Sequence, residues 1–449
     1  MKRILIVVIA IGLLAACGTR VDGGAVTART GAASQTGTAV EGSGDNAVSS
    51  GDASAADQAA GDSGATSPAS GTAPNRSGLT TPTKTASSAK GKATSGPPIE
   101  LGAVGTRSGI IGAALENAWR GLDVWAAWVN ANGGIKGRPV DVIAVDDGAD
   151  PGKHAAAVRQ LILERHVQAF VGNVAPITFS AGVPLLEQYG IPALGGDSAD
   201  PGWFTSPMAF PISGATFSRA IPIAKWAISH LPQRKVASYY VNEAAAPKRV
   251  ASTFENEWKQ LGGQVVVSSG VSLAQPDYTA EVLQAKSSGA EIVYLVLEQA
   301  ACTRFFDAAR RQQYNPLFFT TACTFANAEA NRDLLTNRMY VAGSFRPVDS
   351  GNSPAQQEVK AAVARYDRTL QPDGAFLFTW LAGKLLEATG GTNTAEILAG
   401  LHRLKGETLG GLIAPQTWPP GPHPEATCGM VSAYKGGPKF ELETPDFVC

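Results

Sequence analysis

From residue 99 to the C-terminus, short apolar runs alternate with longer amphipathic ones, and this alternation predicts strands and helices in turn. The expected strands are 99–104, 140–145, 169–172, 191–194, 236–241, 265–267, 292–297, 317–320 and 339–342. Between the first two, Trp119, Leu122, Ala126 and Val129 recur at helical spacing, while Asn117, Arg120 and Asp123 leave that face. Asp150-Pro151 marks another helix start, because an Asp side chain accepts orphan N–H groups and proline needs no donor at the first helical position. Strand-helix alternation implies parallel sheets with right-handed crossovers. So many units over this length suggest two α/β lobes rather than one sheet.

Ahead of residue 99 the pattern changes twice. Residues 1–17 read MKRILIVVIAIGLLAAC: Lys2 and Arg3 supply a positive start, an apolar run follows, and small Ala15 and Ala16 precede Cys17. This is the layout of a signal peptide. The apolar run is well short of the roughly 20 residues that span a bilayer, so a permanent transmembrane anchor is not expected. Leu14-Ala15-Ala16-Cys17 also resembles the bacterial lipobox, whose cysteine is lipidated and becomes the mature N-terminus; secretory cleavage beside an incidental cysteine is the alternative. A lipid on Cys17 would be the only membrane tether, and either route puts the mature protein outside the cytoplasm. Residues 18–98 contain no Phe, Trp, Tyr, Ile, Met or Cys, and Leu79 is their only leucine. Such a segment cannot bury enough apolar surface to offset its ordering entropy. It reads as a disordered Gly/Ser/Thr/Ala linker, locally stiffened by Pro68, Pro74, Pro82, Pro97 and Pro98.

Charge narrows the function classes. The 37 Lys and Arg residues balance 38 Asp and Glu, so no basic excess is available to hold nucleic acid. With Cys17 set aside, Cys302, Cys323, Cys428 and Cys449 remain, and an exported protein is expected to pair them. Four cysteines allow three connectivities. Cys302 with Cys323 and Cys428 with Cys449 is preferred, since the first pair follows neighbouring expected strands and the second brackets a terminal β-rich segment; free thiols are the alternative. A metal site is not expected, because His154, His166, His230, His402 and His423 are scattered and no Cys-x-x-Cys occurs. Neither a Gly-x-Ser-x-Gly elbow, a P-loop nor His-Glu-x-x-His is present, which weakens an enzyme reading. No cofactor is expected.

The stretch from Trp128 to Pro151, WVNANGGIKGRPVDVIAVDDGADP, resembles the branched-chain amino-acid binding proteins of ABC importers, which are type I periplasmic binding proteins. The resemblance begins at Val104-Gly105-Thr106-Arg107-Ser108-Gly109 and runs through Phe170-Val171-Gly172-Asn173 and Gly190-Ile191-Pro192. It continues through Pro276-Asp277-Tyr278 and Gly289–Tyr294 to Gly410-Gly411-Leu412, covering essentially everything after the linker. It implies two Rossmann-like lobes with parallel central sheets, joined by a three-crossing hinge that closes on a small polar solute. An ABC permease would then recognise the closed, monomeric, non-enzymatic protein. The lobes are expected at 99–216 plus 323–404, and at 217–322 plus 405–449. A ligand-sensing module is the first rival, and a secreted hydrolase the second.

In open α/β sheets, ligands collect beyond the carboxyl ends of the strands. That rule selects the loops 106–109, 173–178, 195–198, 242–244, 298–302 and 320–325, with Ser108, Asn173, Ala175, Thr178, Asp197, Ser198, Asn242, Glu298, Gln299 and Thr321 as candidate contacts. The resemblance implies that loop 173–178 offers backbone amides and a serine hydroxyl to a ligand carboxylate. Here the expected serine falls at Ala175 or Pro176, and proline lacks even the N–H. Aromatic residues expected near 244–246 and at Ala114 are missing too, which weakens a free α-amino acid as the ligand. Each candidate also has a plainer role: Ser108 in a turn, Asp197 and Ser198 as caps, Glu298 as a helix cap. Asp146 and Asp147 read as turn formers, while Trp119, Trp125, Trp128 and Tyr278 read as packing residues.

Overall fold

The computed structural model describes residues 83–84, 95–214, 216–243 and 245–449. Cys17, the signal peptide and nearly all of the expected linker lie outside the described residues.

Two sheets organise the chain. The first holds β1 (Thr83–Lys84), β2 (Ile99–Gly105), β3 (Val140–Asp146), β4 (Ala169–Asn173), β5 (Ala193–Gly196) and β6 (Ala209–Phe210) in the order β1-β3-β2-β4-β5-β6. Every pairing is parallel except that of β1, which lies antiparallel against Ile143 and Ala144; two residues of the expected linker thus extend the sheet edge. The second sheet holds β7 (Lys235–Val241), β8 (Gln264–Val271), β9 (Ile292–Val296), β10 (Leu317–Thr320), β11 (Met339–Gly343), β12 (Met430–Tyr434) and β13 (Phe440–Leu442), in the order β13-β12-β11-β10-β9-β7-β8. Its first five strands in sequence run parallel, and β12 and β13 add an antiparallel edge.

Helices cover both faces of each sheet. Around the first lie α1 (Gly109–Ala114), α2 (Glu116–Ala131), α3 (Pro151–Leu163), α4 (Phe179–Tyr189) and α5 (Gly202–Thr205). Around the second lie α6 (Ala220–His230), α7 (Ala245–Gln260), α8 (Thr279–Ser287), α9 (Gln299–Arg311), α10 (Phe325–Ala330) and α11 (Arg332–Leu335). The chain then returns to the first sheet as α12 (Pro354–Tyr366), α13 (Gly374–Thr389) and α14 (Thr394–Arg403). Two-sided cover explains why β4 and β9 are buried at every position and read as continuous apolar runs rather than alternating ones. Trp119 and Trp125 of α2 are buried in the first lobe's core, as their helical spacing predicts. Asp150 caps α3 by accepting from Lys153 N, with Pro151 at the first helical position. The strand expected at 191–194 is displaced to Ala193–Gly196. Gly195 and Gly196 extend it with positive φ, and a Cβ on Gly196 would lie 2.1 Å from the Asn173 carbonyl oxygen.

The chain passes between the lobes three times: between Phe210 and Ala220, between Gly343 and Pro354, and between Trp418 and Met430. These crossings differ from the expected lobe boundaries. Residues 323–343 were expected in the first lobe, yet β11 pairs with β10 and β12, because the edge of β10 is completed by the next apolar strand in the chain. The segment 405–449 was expected in the second lobe, yet Leu409, Leu412, Ile413 and Trp418 are buried in the first lobe's core. Trp418 Nε1 donates to the Pro211 carbonyl, and only β12 and β13 join the second sheet. Among the described residues, no helix is long and apolar enough to cross a membrane, and no His, Cys, Asp or Glu cluster is arranged to hold a metal.

Candidate functional site

The loops at the carboxyl ends of the first sheet are set by two adjacent aspartates. Asp146 accepts from Arg107 N at 2.8 Å, Gly148 N at 2.9 Å and Ser108 N at 3.3 Å. Burial alone would raise its carboxyl, but these bonds and the Ser108 hydroxyl outweigh burial and hold it below the usual carboxylate range. Asp147, fully buried, accepts from Thr106 Oγ1 at 2.8 Å, Thr178 Oγ1 at 2.6 Å and Ala149 N at 2.9 Å, and meets His154 Nδ1 at 2.9 Å. Here too burial raises and hydrogen bonds lower, His154 and Thr178 foremost, with a net lowering. A carboxylate only accepts, so His154 Nδ1 is the donor. One side chain therefore fastens loop 106–109, loop 173–178 and α3 to each other. The plainer reading of both aspartates, as turn formers, matches their bonds.

Asn173 performs a similar task on the next two strands. Its side-chain oxygen accepts from Val104 N at 3.0 Å, and its carbonyl accepts from Asp197 N at 3.1 Å. The Asn173 amide nitrogen is buried without a hydrogen-bond partner. Thr178 is buried with its hydroxyl committed to Asp147, so it positions the loop. Ala175 is corrected as a side-chain contact: its methyl is fully buried in an apolar cluster with Phe179 and Trp203. The side chain that this loop does expose is Ile177, at 57%. Ser108 is exposed in the first loop.

Beyond β5, Asp197 is buried, accepts from Ala199 N at 2.9 Å and lies within electrostatic reach of Arg219 on the first crossing. Burial raises the Asp197 carboxyl, Arg219 opposes this and Asp200 adds to it; the net position is above the usual range. For Arg219, burial works against the charge, while Asp197 and Tyr294 support it. Ser198 is buried, its hydroxyl 3.4 Å from that of Ser213. In the second lobe, burial pushes the Tyr294 hydroxyl up, with Thr321 beside it and Arg219 opposing the shift. Sequence reasoning names Asp197 and Thr321 as candidates but passes over Arg219 beside them, a single cation in a short turn with no periodicity or motif to single it out.

On the second lobe, Glu298 caps α9, accepting from Ala300 N at 2.7 Å and Ala301 N at 2.6 Å, with Arg304 at 3.7 Å. The capping alternative is thus the role its bonds describe. Gln299 is exposed at the start of α9, and its carbonyl accepts from Asn327 Nδ2 at 2.8 Å. Asn242 is exposed after β7, its backbone N–H donating to Val271. A disulfide between Cys302 and Cys323 ties the first turn of α9 to the loop after β10, and a second joins Cys428 to Cys449; both are the preferred pairings. A cavity of about 560 Å³ opens between the lobes beside the second crossing; Arg219 and Phe325, at the end of loop 320–325, line it, while none of the ten candidate contacts does.

The periplasmic binding protein family profile matches residues 98–437. An amino acid binding protein from Pseudomonas aeruginosa is 24% identical over 198 residues, which cover 44% of this chain and about half of that relative, 53%. The Leu/Ile/Val-binding protein of Escherichia coli K12 is 20% identical over 330 residues, covering 71% of this chain and 86% of that protein. Among solved structures, the branched-chain amino acid transporter substrate binding protein of Streptococcus pneumoniae, in complex with isoleucine, superposes with a TM-score of 0.62 at 18% identity, over 78% of this chain and all of that one, 100%. With the profile spanning most of the chain, two parallel-dominated sheets and three crossings between them, this chain belongs to the type I periplasmic binding proteins, the extracytoplasmic family of the Leu/Ile/Val-binding proteins of ABC importers.

Proposed function

We propose that this protein is an extracytoplasmic lipoprotein, tethered through Cys17, that captures a small polar solute between its lobes by hinge closure and delivers it to an ABC permease as a monomer. It carries out no chemistry on that solute. The observation that carries the reading is the cost of the cleft loops: buried Asp147 and Asn173, with half-buried Asp146, commit their polar groups to fixing loops 106–109, 173–178 and 195–198 in one arrangement. A binding site gains affinity from such preorganisation, because the ordering cost is met before the ligand arrives.

The solute is amino-acid-like in size and polarity. Backbone groups of loop 173–178, the Asn173 amide, Asp197 and Ser198 face it from the first lobe, with Ser108 at the rim. Asn242, Gln299 and Thr321 meet it from the second, and Glu298 supports them by capping α9. Because Ile177 stands exposed just beyond Ala175 and Pro176, where the relatives' serine is expected, the solute turns an apolar part toward that loop.

A thermal-shift screen of the mature chain against amino acids, amides, aromatic acids, sugars and polyamines tests this, since a ligand selective for the native state raises its melting temperature. A hit is expected to lose affinity on Ser198→Ala while the unfolding transition stays cooperative, and to compact the protein in small-angle X-ray scattering. Turnover of the hit, or binding with no change in scattering and none on Ser198→Ala, would refute the reading.

A further inference from the structure

The outer edge of β3 carries backbone groups that the rest of the first sheet does not use. Ile99 N donates to the Pro139 carbonyl and Asp147 N to the Gly105 carbonyl, so the odd-numbered positions of β3 turn their backbone groups toward β2. The even-numbered ones, Val140, Val142, Ala144 and Asp146, turn theirs the other way. At Val140 one side chain serves both groups: Asn130 Oδ1 accepts from Val140 N at 2.8 Å, and Asn130 Nδ2 donates to the Val140 carbonyl at 2.9 Å. At Ala144 the partner is β1, where Thr83 stands opposite Ala144 and Lys84 opposite Ile143 in antiparallel register. Continued at that register, Thr81 falls opposite Asp146 and Thr85 opposite Val142, which completes the edge.

The sequence fits this continuation position by position. Thr81, Thr83 and Thr85 share the side that faces β3. Residues 80–85 read Thr-Thr-Pro-Thr-Lys-Thr, the densest run of β-branched residues between 18 and 98, as a strand prefers. Pro82 has no N–H, and it falls where the backbone points away from β3, the side on which an edge strand tolerates proline. Lys84 takes a position on the new edge, where a charge discourages pairing with a further strand. The antiparallel register also fixes direction: the chain enters β1 at the carboxyl end of β3, where Asp146 accepts from Arg107 N, and runs toward the amino end.

We propose that residues 81–85 dock as a strand on the outer edge of β3, and that the tether from Cys17 therefore joins the body beside cleft loop 106–109 rather than at the amino end of β2. The tether rests on the lipoprotein reading above; the dock does not. Docking moves the point of attachment by the length of β3, about 20 Å. Residues 18–79, as a Gly-rich coil, reach roughly 45 Å, so the shift is close to half the tether's span. It places the cleft loops, not the opposite end of the lobe, at the tether's root.

Trypsin tests the dock on the mature chain carrying Cys17→Ser, because the segment holds its own cleavage sites. Cleavage after Lys84 is expected about tenfold slower than after Arg76 or Lys92, since a docked strand is cut only when it opens. Thr83→Pro removes an N–H that faces β3 and equalises the three sites; Ala86→Pro removes one that faces away and leaves Lys84 protected. Direction is read from distances between nitroxide labels, the four other cysteines being paired. A label on Leu79→Cys is expected nearer to one on exposed Lys153→Cys, just beyond the carboxyl end of β3, than to one on exposed Lys136→Cys before its amino end, by more than about 10 Å. Equal cleavage at all three sites in the parent chain, protection that survives Thr83→Pro, or Leu79 nearer to Lys136 would overturn the proposal. The lipid is read apart, by partition into Triton X-114: a wild type that stays in the aqueous phase overturns the tether at Cys17, whereas the dock stands or falls by the trypsin and distance results.

Discussion

Replacing Asp147 by alanine separates a positioning role from a ligand contact. In the native protein this carboxylate receives the hydroxyls of Thr106 and Thr178 and the ring N–H of His154, all buried, together with the half-buried Ala149 N–H. Alanine leaves these donors without an acceptor. Each stranded buried donor costs about 1–2 kcal/mol, the rotatable hydroxyls at the lower end, giving a loss of about 4 kcal/mol. Asp147→Asn keeps the shape and one acceptor and is expected to lose about half as much. Urea unfolding of the mature chain at pH 7, followed by circular dichroism, measures both. The pH dependence has a fixed sign: because the folded carboxyl is held below its usual value of 3.8, its contribution is present above that value and is lost as pH falls through the lower, folded one. The gap between wild type and Asp147→Ala should thus close under strongly acid conditions. A loss below about 1 kcal/mol with solute affinity abolished would show that Asp147 is a contact rather than a clamp, and would refute the account of the cleft given above.

Three further outcomes are expected. Gly383→Ala should cost more than about 2 kcal/mol in the same assay, since a Cβ there would stand 2.1 Å from the Trp125 ring where α2 and α13 cross; a cost near zero would mean the helices separate easily. Removing the disulfide with Cys302→Ala and Cys323→Ala should lower stability by about 3 kcal/mol for a loop of 21 residues, read as a shifted melting temperature, and reduction by dithiothreitol should have no effect on this pair of substitutions beyond that of the second disulfide. Asp197, whose folded carboxyl lies above its usual value, favours folding in its protonated form, so stability falls as pH rises from about 3.8 through the raised value; Asp197→Asn should remove that slope from a plot of melting temperature against pH, and an unchanged slope would assign it elsewhere.

The fold was legible because its signals are local. Apolar runs such as Ile292–Val296 mark buried parallel strands, and Asp150-Pro151 marks a helix start whose cap forms as written. Lobe membership is not a local property. Nothing in the residues of β11 says whether it completes the second sheet or begins the return to the first; that depends on which strand edge is left open by β10. The pairing of Gly121 and Gly383 is equally hidden. Each looks like a weak point in a helix, yet each lies where α2 meets α13 too closely for a side chain, across an interval of more than 250 residues.

The site shows the same division in sharper form. Strand ends select candidate loops, but a residue's place in a loop does not say which way its side chain is spent. Thr178 and Glu298, both polar and both in loops beyond strand ends, are spent on Asp147 and on the first turn of α9, while Ile177 beside buried Thr178 is the side chain that faces out. Arg219 reverses the error: it stands on a connection that the strand-end rule never inspects, yet it is the cation to which Asp197 answers. Polar residues at a strand's carboxyl end compete between holding the loop and holding the ligand, and burial decides the contest. Where the hydroxyl or carboxylate is committed within the protein, as with Thr178 on Asp147 and Glu298 on α9, a donor left over in the first lobe's loops is the Asn173 amide.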